Sequence, residues 1–143
     1  MSQLAAPVGR GTLVVDASAV VALLVDHGAP GRWVAGQLAG HVLMAPELLP
    51  FEVANALRRQ VRARVLHVDR ATAAHRAMVD LHIELWPYPP LSRRVWALRD
   101  QLSSYDAAYV AVADLVGAPL ITLDARLARG VSADCEIRVF ATR

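Results

Sequence analysis

The sequence predicts a single α/β domain with a five-stranded, mainly parallel sheet flanked by helices on both faces. Three observations support this. Short apolar runs rich in β-branched residues recur along the chain, and stretches with helical spacing separate them. Proline and glycine clusters mark the ends of these segments. Strands that alternate with helices require right-handed crossovers, which produce a parallel sheet covered by helices.

Composition limits the classes of protein that the chain can be. Its 143 residues are 55% hydrophobic and 20% charged, which favours one compact domain over disorder. No apolar run approaches the ~18 residues that cross a bilayer, and no signal-peptide pattern opens the chain, so we expect a cytoplasmic protein without a membrane partner. Cys135 is the only cysteine, which excludes an internal disulfide. All 15 basic residues are arginine, and the net charge of +2 is compatible with a nucleic-acid substrate without indicating one.

The first half of the chain contains two predicted strands and four predicted helices. Residues 1–11 are expected to form an N-terminal leader, and 12–143 the domain. Gly28, Pro30 and Gly31 separate the first two helices, and Pro50 is tolerable only in a first turn. Val53, Leu57, Val61 and Val65 are spaced as the buried stripe of the third helix. The predicted elements are a strand at 13–15, helices to about 25 and at 32–38, a strand at 42–45, and helices at 47–65 and from about 69 to 81.

The second half alternates in the same way. Pro87, Pro89 and Pro90 are expected to stop a strand at 83–86, and Ser92 to cap a helix that continues through Leu102. Ser104 is expected to cap the next helix, which Gly117 ends. The remaining predicted elements are that helix at 105–116, a strand at 120–123, a short helix at 125–128 and a strand at 137–140.

Four acidic residues occupy positions where a carboxylate is unusual. Asp16 and Asp124 each follow an apolar strand directly, and ligands of parallel sheets bind at the carboxyl ends of strands. Glu52 borders the buried stripe of its helix. Asp106 shares a helix face with apolar residues three, four and seven positions further on. Elements of this kind can bring all four acids to one end of the sheet.

Each acid also has a purely structural interpretation. Asp16 and Asp124 could cap helices, Asp106 could complement a helix dipole, and Glu52 could pair with Arg59 two turns away. Four carboxylates in one cleft, however, would raise one another's pKa unless a divalent cation lay among them. Ligands that are all oxygen suit Mg²⁺, or Mn²⁺ in its place, rather than zinc.

Four short motifs occur in order along nearly the whole chain: Val15–Ser18, Pro50–Leu57, Tyr105–Ala111 and Thr122–Asp124. Together they resemble the motifs of PIN-domain ribonucleases, and most closely those of VapC-type toxins from bacterial type II toxin–antitoxin modules. The leader before the first strand departs from that pattern, because members of the family often begin almost at the strand.

The resemblance implies an Mg²⁺-dependent endoribonuclease that a cognate antitoxin inhibits and that forms a homodimer. Position by position, it makes Asp16 and Asp106 the principal metal ligands, with Glu52 and Asp124 completing the catalytic site. Ser18 and Thr122 match hydroxyl positions beside these acids. A metal-activated water is the expected nucleophile, because bound Mg²⁺ lowers the pKa of its water.

Three further expectations concern binding and alternatives. Arg59 lies seven residues after Glu52 and could contact an RNA phosphate, although it could equally belong to a solvated basic face. The apolar residues of the first two helices could form a groove for an antitoxin helix. A catalytically silent PIN-like module that binds RNA or protein, and a nuclease directed at DNA, are the competing functions.

Overall fold

The sheet has five parallel strands. A computed structural model of the protein describes residues 11–129 and 134–141, so the predicted leader lies outside the described residues except for its last position. Within them, the strand order is β3-β2-β1-β4-β5, and every neighbouring pair is parallel. The predicted fold class is confirmed. The strands are β1 (Thr12–Val15), β2 (Val42–Pro46), β3 (Ile83–Trp86), β4 (Leu120–Thr122) and β5 (Ile137–Val139).

Seven helices accompany this sheet in the described part of the chain. Helix α6 contacts β1, β2 and β4 and packs with α5, whereas α1 contacts α2, α3 and α4. None of the described helices is long and apolar enough to cross a membrane. The helices are α1 (Ala17–Val25), α2 (Ala29–Leu38), α3 (Leu49–Arg62), α4 (Val68–Asp80), α5 (Tyr88–Ala97), α6 (Ser104–Val116) and α7 (Ala125–Arg129).

The hydrophobic core surrounds the central strands β1 and β4. Val14, Val15 and Ile121 are completely buried, and α6 contributes an almost continuous run of buried residues from Ala107 to Ala113. Strands covered on both faces read as continuous apolar runs, which explains the composition of β1. Helices α1 and α2 also give most of their apolar residues to this core. Leu23, Leu24 and Trp33 pack against this core and are only partly buried, so the groove expected on these helices stays a prediction.

The proline cluster after β3 has a different role from the predicted one. Pro89 and Pro90 lie in the first turn of α5, where the backbone N–H groups have no partner within the helix and proline therefore costs nothing. Ser92 does not cap this helix. Its hydroxyl instead donates to the carbonyl oxygen of Pro89 at 2.8 Å. The predicted extension to Leu102 is also wrong, because α5 ends at Ala97.

Three other helix boundaries differ from their predictions. Helix α3 ends at Arg62, and Arg64 then adopts a positive φ of 58°, so Val65 leaves the predicted stripe and is 76% exposed. Helix α2 begins at Ala29 because Pro30 fits its first turn. The cap of α6 is Ser103 rather than Ser104.

Chain direction places the candidate residues at one end of the sheet. Val15, the last residue of β1, pairs with Ile121 in β4. Asp16, directly after β1, therefore lies beside Thr122, the last residue of β4, although the two are 106 positions apart in sequence. Strand β2 runs in the same direction and leads into α3, which carries Glu52.

The close approach of α1 and α2 predicts a large effect of Gly31→Ala. A Cβ atom at Gly31 would overlap the backbone carbonyl group of Asp26, which cannot move away as a flexible side chain could. We expect the free energy of unfolding to fall by about 1–3 kcal/mol, measured by urea denaturation. Gly36→Ala is the matched control in the same helix, because a Cβ there meets nothing within 4 Å. It should stabilise by about 0.5–1 kcal/mol, and equal midpoints for the two variants would contradict the packing described.

Candidate active site

Asp16 is a half-buried carboxylate directly after β1. Although it is the N-cap residue of α1, its side chain makes no capping hydrogen bond. Its Oδ2 instead accepts from Thr122 Oγ1 at 2.7 Å and from Ser18 Oγ at 2.9 Å. Burial raises the pKa of Asp16, these hydrogen bonds oppose that rise, and the negative charge of Asp106 adds to it. Helix capping therefore does not account for this side chain.

The hydroxyl groups of Ser18 and Thr122, which both donate to Asp16, also link the end of β1 to the chain after β4. Ser18 Oγ accepts from the Leu123 backbone N–H at 3.0 Å, and Thr122 Oγ1 accepts from that of Asp124 at 3.0 Å. Thr122 is completely buried. Each hydroxyl donates its proton towards Asp16 while its oxygen holds the chain after β4, so both orient the carboxylate.

Glu52 lies in the first turn of α3 and is half-buried. Its Oε1 accepts a 2.5 Å hydrogen bond from the phenol of Tyr109. Burial raises the pKa of Glu52; the phenol lowers it, and the charges of Asp16 and Asp106 raise it further. Arg59 also lowers this pKa, but among the described residues no ion pair forms between the two side chains. The structure does not show the predicted Glu52–Arg59 pair.

Asp106 lies in the first turn of α6, where its backbone N–H donates to the hydroxyl of Ser103 at 3.2 Å. Its side chain is half-buried. The charge of Asp106 raises the pKa of both Asp16 and Glu52, so the three carboxylates lie within electrostatic range of one another. The structure thus brings three of the four predicted acids into one negatively charged region.

Asp124 is held differently from the other three acids. Both of its carboxylate oxygens accept from Arg126, and this side-chain hydrogen bonding lowers the pKa of Asp124. Its Oδ1 also accepts from the backbone N–H of Arg126 at 2.9 Å, at the start of α7. The helix-start interpretation therefore describes the local structure of Asp124 correctly.

A cleft of about 760 Å³ opens beside these acids. Its wall includes Asp16, Glu52 and Asp124, together with the side chains of Arg59 and Arg126. Arginine and carboxylate groups thus face the same space. The cleft continues along α1 and α4 over apolar residues that include Val21 and Leu66. Its size and its mixed polar and apolar lining are typical of a ligand site.

The chemistry of this cleft fits a hard divalent cation. Asp16 and Glu52 on its wall, and Asp106 within electrostatic range of both, offer carboxylate oxygens only, which favours Mg²⁺ or Mn²⁺ over softer metals. The pKa values of Asp16 and Glu52 are raised by burial and by neighbouring negative charge, and a cation would relieve both causes. Within residues 11–129 and 134–141, however, no three acidic, histidine or cysteine side chains already stand at metal-binding positions. Binding would therefore require side-chain adjustment.

Two residues that contact the acids are not marked by the sequence patterns. Tyr109 belongs to an apolar helix face and is indeed 1% exposed, yet its hydroxyl binds Glu52. A buried tyrosine usually needs a hydrogen-bond partner, which is the available signal. Arg126 stands only two positions after Asp124, and that short separation is the one sequence feature that could indicate their pairing.

Comparison with known proteins identifies the class. The chain matches the PIN domain family over residues 13–131. It is 40% identical over 127 residues to Ribonuclease VapC1 of Mycobacterium tuberculosis, covering 88% of this chain and 96% of the relative. Ribonuclease VapC12 of the same species is 35% identical over 129 residues, covering 90% and 99%.

Solved structures share the architecture. The crystal structure of VapBC-5 from Mycobacterium tuberculosis, a member of the VapBC family of toxin–antitoxin systems, superposes with a TM-score of 0.58 at 20% identity, covering 90% of this chain and 98% of the other. At that identity the likeness concerns the fold. The present chain therefore belongs to the PIN-domain family and, within it, to the VapC proteins.

The burial of Asp16 predicts that Asp16→Asn stabilises the metal-free protein. The folded-state pKa of Asp16 lies above its usual value of 3.8, so its ionisation destabilises the fold as pH rises from that value through the folded pKa. An amide oxygen can still accept from Ser18 and Thr122 without a buried charge. Urea denaturation at pH 7.5 should show a gain of about 0.5–2 kcal/mol, which shrinks near pH 4. Exposed Asp80→Asn is the control, and a loss of stability at pH 7.5 would refute the cause given.

The Tyr109 hydroxyl predicts a second effect. Tyr109→Phe removes the hydrogen bond that lowers the pKa of Glu52, so that pKa should rise further, as followed by NMR titration of the Glu52 carboxyl carbon. The free energy of unfolding should fall by about 1–3 kcal/mol. Tyr105→Phe in the same helix is the control, because Tyr105 is 67% exposed. An unchanged Glu52 titration in a folded Tyr109→Phe protein would show that this bond does not form in solution.

Proposed function

We propose that this protein is the toxic component of a toxin–antitoxin module and cleaves RNA as a metal-dependent endoribonuclease. The observation that carries the proposal is the convergence of carboxylates at one end of the sheet: Asp16 and Glu52 line the cleft, and the charge of Asp106 raises the pKa of both. Such a group is costly to keep unless a cation binds there. Relatives named ribonucleases at 35–40% identity support the same activity.

The proposed metal is Mg²⁺, with Mn²⁺ able to replace it. Asp16 and Asp106 would be its principal ligands, and Glu52 and Asp124 would complete the catalytic group. When bound, the ion would supply an activated water and neutralise charge on the phosphoryl oxygens. Ser18 and Thr122 would keep Asp16 oriented towards the site, since their hydroxyls already bind its Oδ2. Tyr109 would do the same for Glu52.

Arg59 is suited to hold the RNA. It is exposed, and it lies on the wall of the same cleft as Asp16 and Glu52. A guanidinium group matches the geometry of a phosphate, and one placed beside the acids would offset the repulsion between RNA and the carboxylates. The proposed substrate path therefore passes Arg59 before it reaches the acids.

The proposed partners are a cognate antitoxin and a second copy of the chain, in the cytoplasm. The fold that the chain shares with VapBC-5, a toxin–antitoxin system, supports the first partner. A small hollow between α1 and α4 is the proposed binding site for an antitoxin segment. It is lined by Leu24, Val25, His27, Arg70 and three alanines of α4 (Ala73, Ala74 and Ala77). It adjoins the groove expected on α1 and α2, since Leu24 and Val25 belong to α1.

Calorimetry with Mn²⁺ followed by RNA cleavage tests the proposed activity. The wild-type protein should bind Mn²⁺ and cut RNA only when metal is present. Asp106→Asn should abolish measurable Mn²⁺ binding and lower cleavage at least about 100-fold, because it removes a charged ligand and a transition-state contact. Asp80→Asn, which changes an exposed carboxylate at the end of α4, is the matched control and should behave as wild type.

The same experiment separates the alternatives. A folded wild-type protein that binds neither metal nor RNA would favour a silent module that binds protein. Metal-dependent cutting of DNA with no cutting of RNA would favour the DNA-directed nuclease. Unchanged Mn²⁺ binding by Asp106→Asn would remove Asp106 from the metal site.

A further inference from the structure

Arg126 forms a two-pronged ion pair with Asp124 at the entrance to the candidate active site. Its Nε donates to Oδ1 at 3.2 Å, and a terminal nitrogen donates to Oδ2 at 3.0 Å. Among the described residues, this is the one ion pair made by any of the four predicted catalytic acids. A single arginine therefore binds both oxygens of a carboxylate that is a proposed metal ligand.

The two oxygens of Asp124 are held in different ways. Oδ1 accepts from the backbone N–H of Arg126 as well as from its side chain, whereas the hydrogen bond found to Oδ2 comes from the guanidinium. If the guanidinium left, the backbone N–H would still fix the carboxylate through Oδ1. Oδ2 would then be open to another cation without any change in the backbone. Oδ2 of Asp124 can therefore exchange its partner while Oδ1 stays bound to the backbone.

The position of Arg126 would let its side chain, once released from Asp124, move into the cleft. It lines the same cleft as Asp16, Glu52 and Arg59. Its side chain is 84% exposed, so neither packing nor burial holds the guanidinium in place. Exposed ion pairs are weak, because water screens the charges and the long side chain loses freedom. A divalent cation at Asp124 can therefore displace this arginine.

We propose that Arg126 alternates between two partners: it neutralises Asp124 while the site is empty and binds an RNA phosphate once a divalent cation has taken Asp124. This inference rests on the proposed function, since it requires both metal and RNA in the cleft. The planar guanidinium that donates hydrogen bonds to two carboxylate oxygens has the geometry to donate them to two phosphate oxygens. Arg59 has no such carboxylate partner among the described ion pairs, so it can bind phosphate at any time.

The exchange predicts that one substitution has opposite effects on metal and on RNA. Arg126→Gln removes the competing cation but keeps the backbone N–H that orients Asp124. In calorimetry without RNA, the variant should bind Mn²⁺ about two- to five-fold more tightly than wild type, the range expected when an exposed ion pair no longer has to be broken.

The RNA arm of the experiment uses the substrate on which the wild-type protein is active. At saturating Mn²⁺, Arg126→Gln should lower kcat/KM about ten-fold or more, because a charge-assisted contact to phosphate is lost. Most of the change should appear in KM. Arg126→Lys keeps the charge without the planar fork, and it should lie between wild type and Arg126→Gln in both measurements.

Arg129→Gln is the matched control. Arg129 is exposed in the same short helix, so its replacement removes one positive charge nearby without touching Asp124. If Arg126→Gln and Arg129→Gln have equal Mn²⁺ affinity, or equal kcat/KM, the alternation does not occur. If the wild-type protein binds no Mn²⁺ and cuts no RNA, the proposed function fails and this inference fails with it. Tighter metal binding together with weaker cleavage, confined to Arg126→Gln, would support the exchange.

Discussion

The structure depends on how the negative charge of Asp16 is accommodated at the end of β1. A carboxylate removed from water is expensive unless donors or cations replace the water. Two hydroxyl groups do so in part, and both belong to residues that also hold the chain after β4. Burial still dominates the pKa of Asp16. The order of the sheet makes the second of these bonds possible, because Thr122 can reach Asp16 only if β4 lies beside β1.

The acids around Asp16 divide into two kinds of environment. Asp16 and Glu52 receive neutral hydroxyl donors and remain under mutual repulsion with Asp106, which keeps a strong attraction for a cation. Asp124 is neutralised by the ion pair with Arg126. Among the described residues, a cation in the cleft would thus compete with no arginine ion pair at Asp16 or Glu52 and with one at Asp124.

The spacing of hydrophobic residues and the proline and glycine residues between segments are sufficient to predict the sheet, the parallel direction of its strands and the end of the sheet at which acidic residues lie. They succeed because β1 and β4 are continuous apolar runs, each followed closely by a carboxylate. They fail at α5, where prolines that usually end a segment fit the first turn of a helix. The Tyr109–Glu52 contact joins two helices across 57 positions of sequence, and no local pattern encodes such a contact. Side-chain partners such as Arg126 for Asp124 likewise depend on rotamers that sequence alone does not determine.

The hydroxyl bridge between the two ends of the chain has a consequence during synthesis. Ser18 and Asp16 are made early, but Thr122, which completes the environment of Asp16, follows 106 residues after it. While the ribosome is still translating the intervening helices, β1 has no β4 beside it, and Asp16 stays hydrated and unaligned. Asp106 and α6 arrive only shortly before Thr122. A nascent chain therefore cannot complete the hydrogen bonds of Asp16 until β4 has emerged.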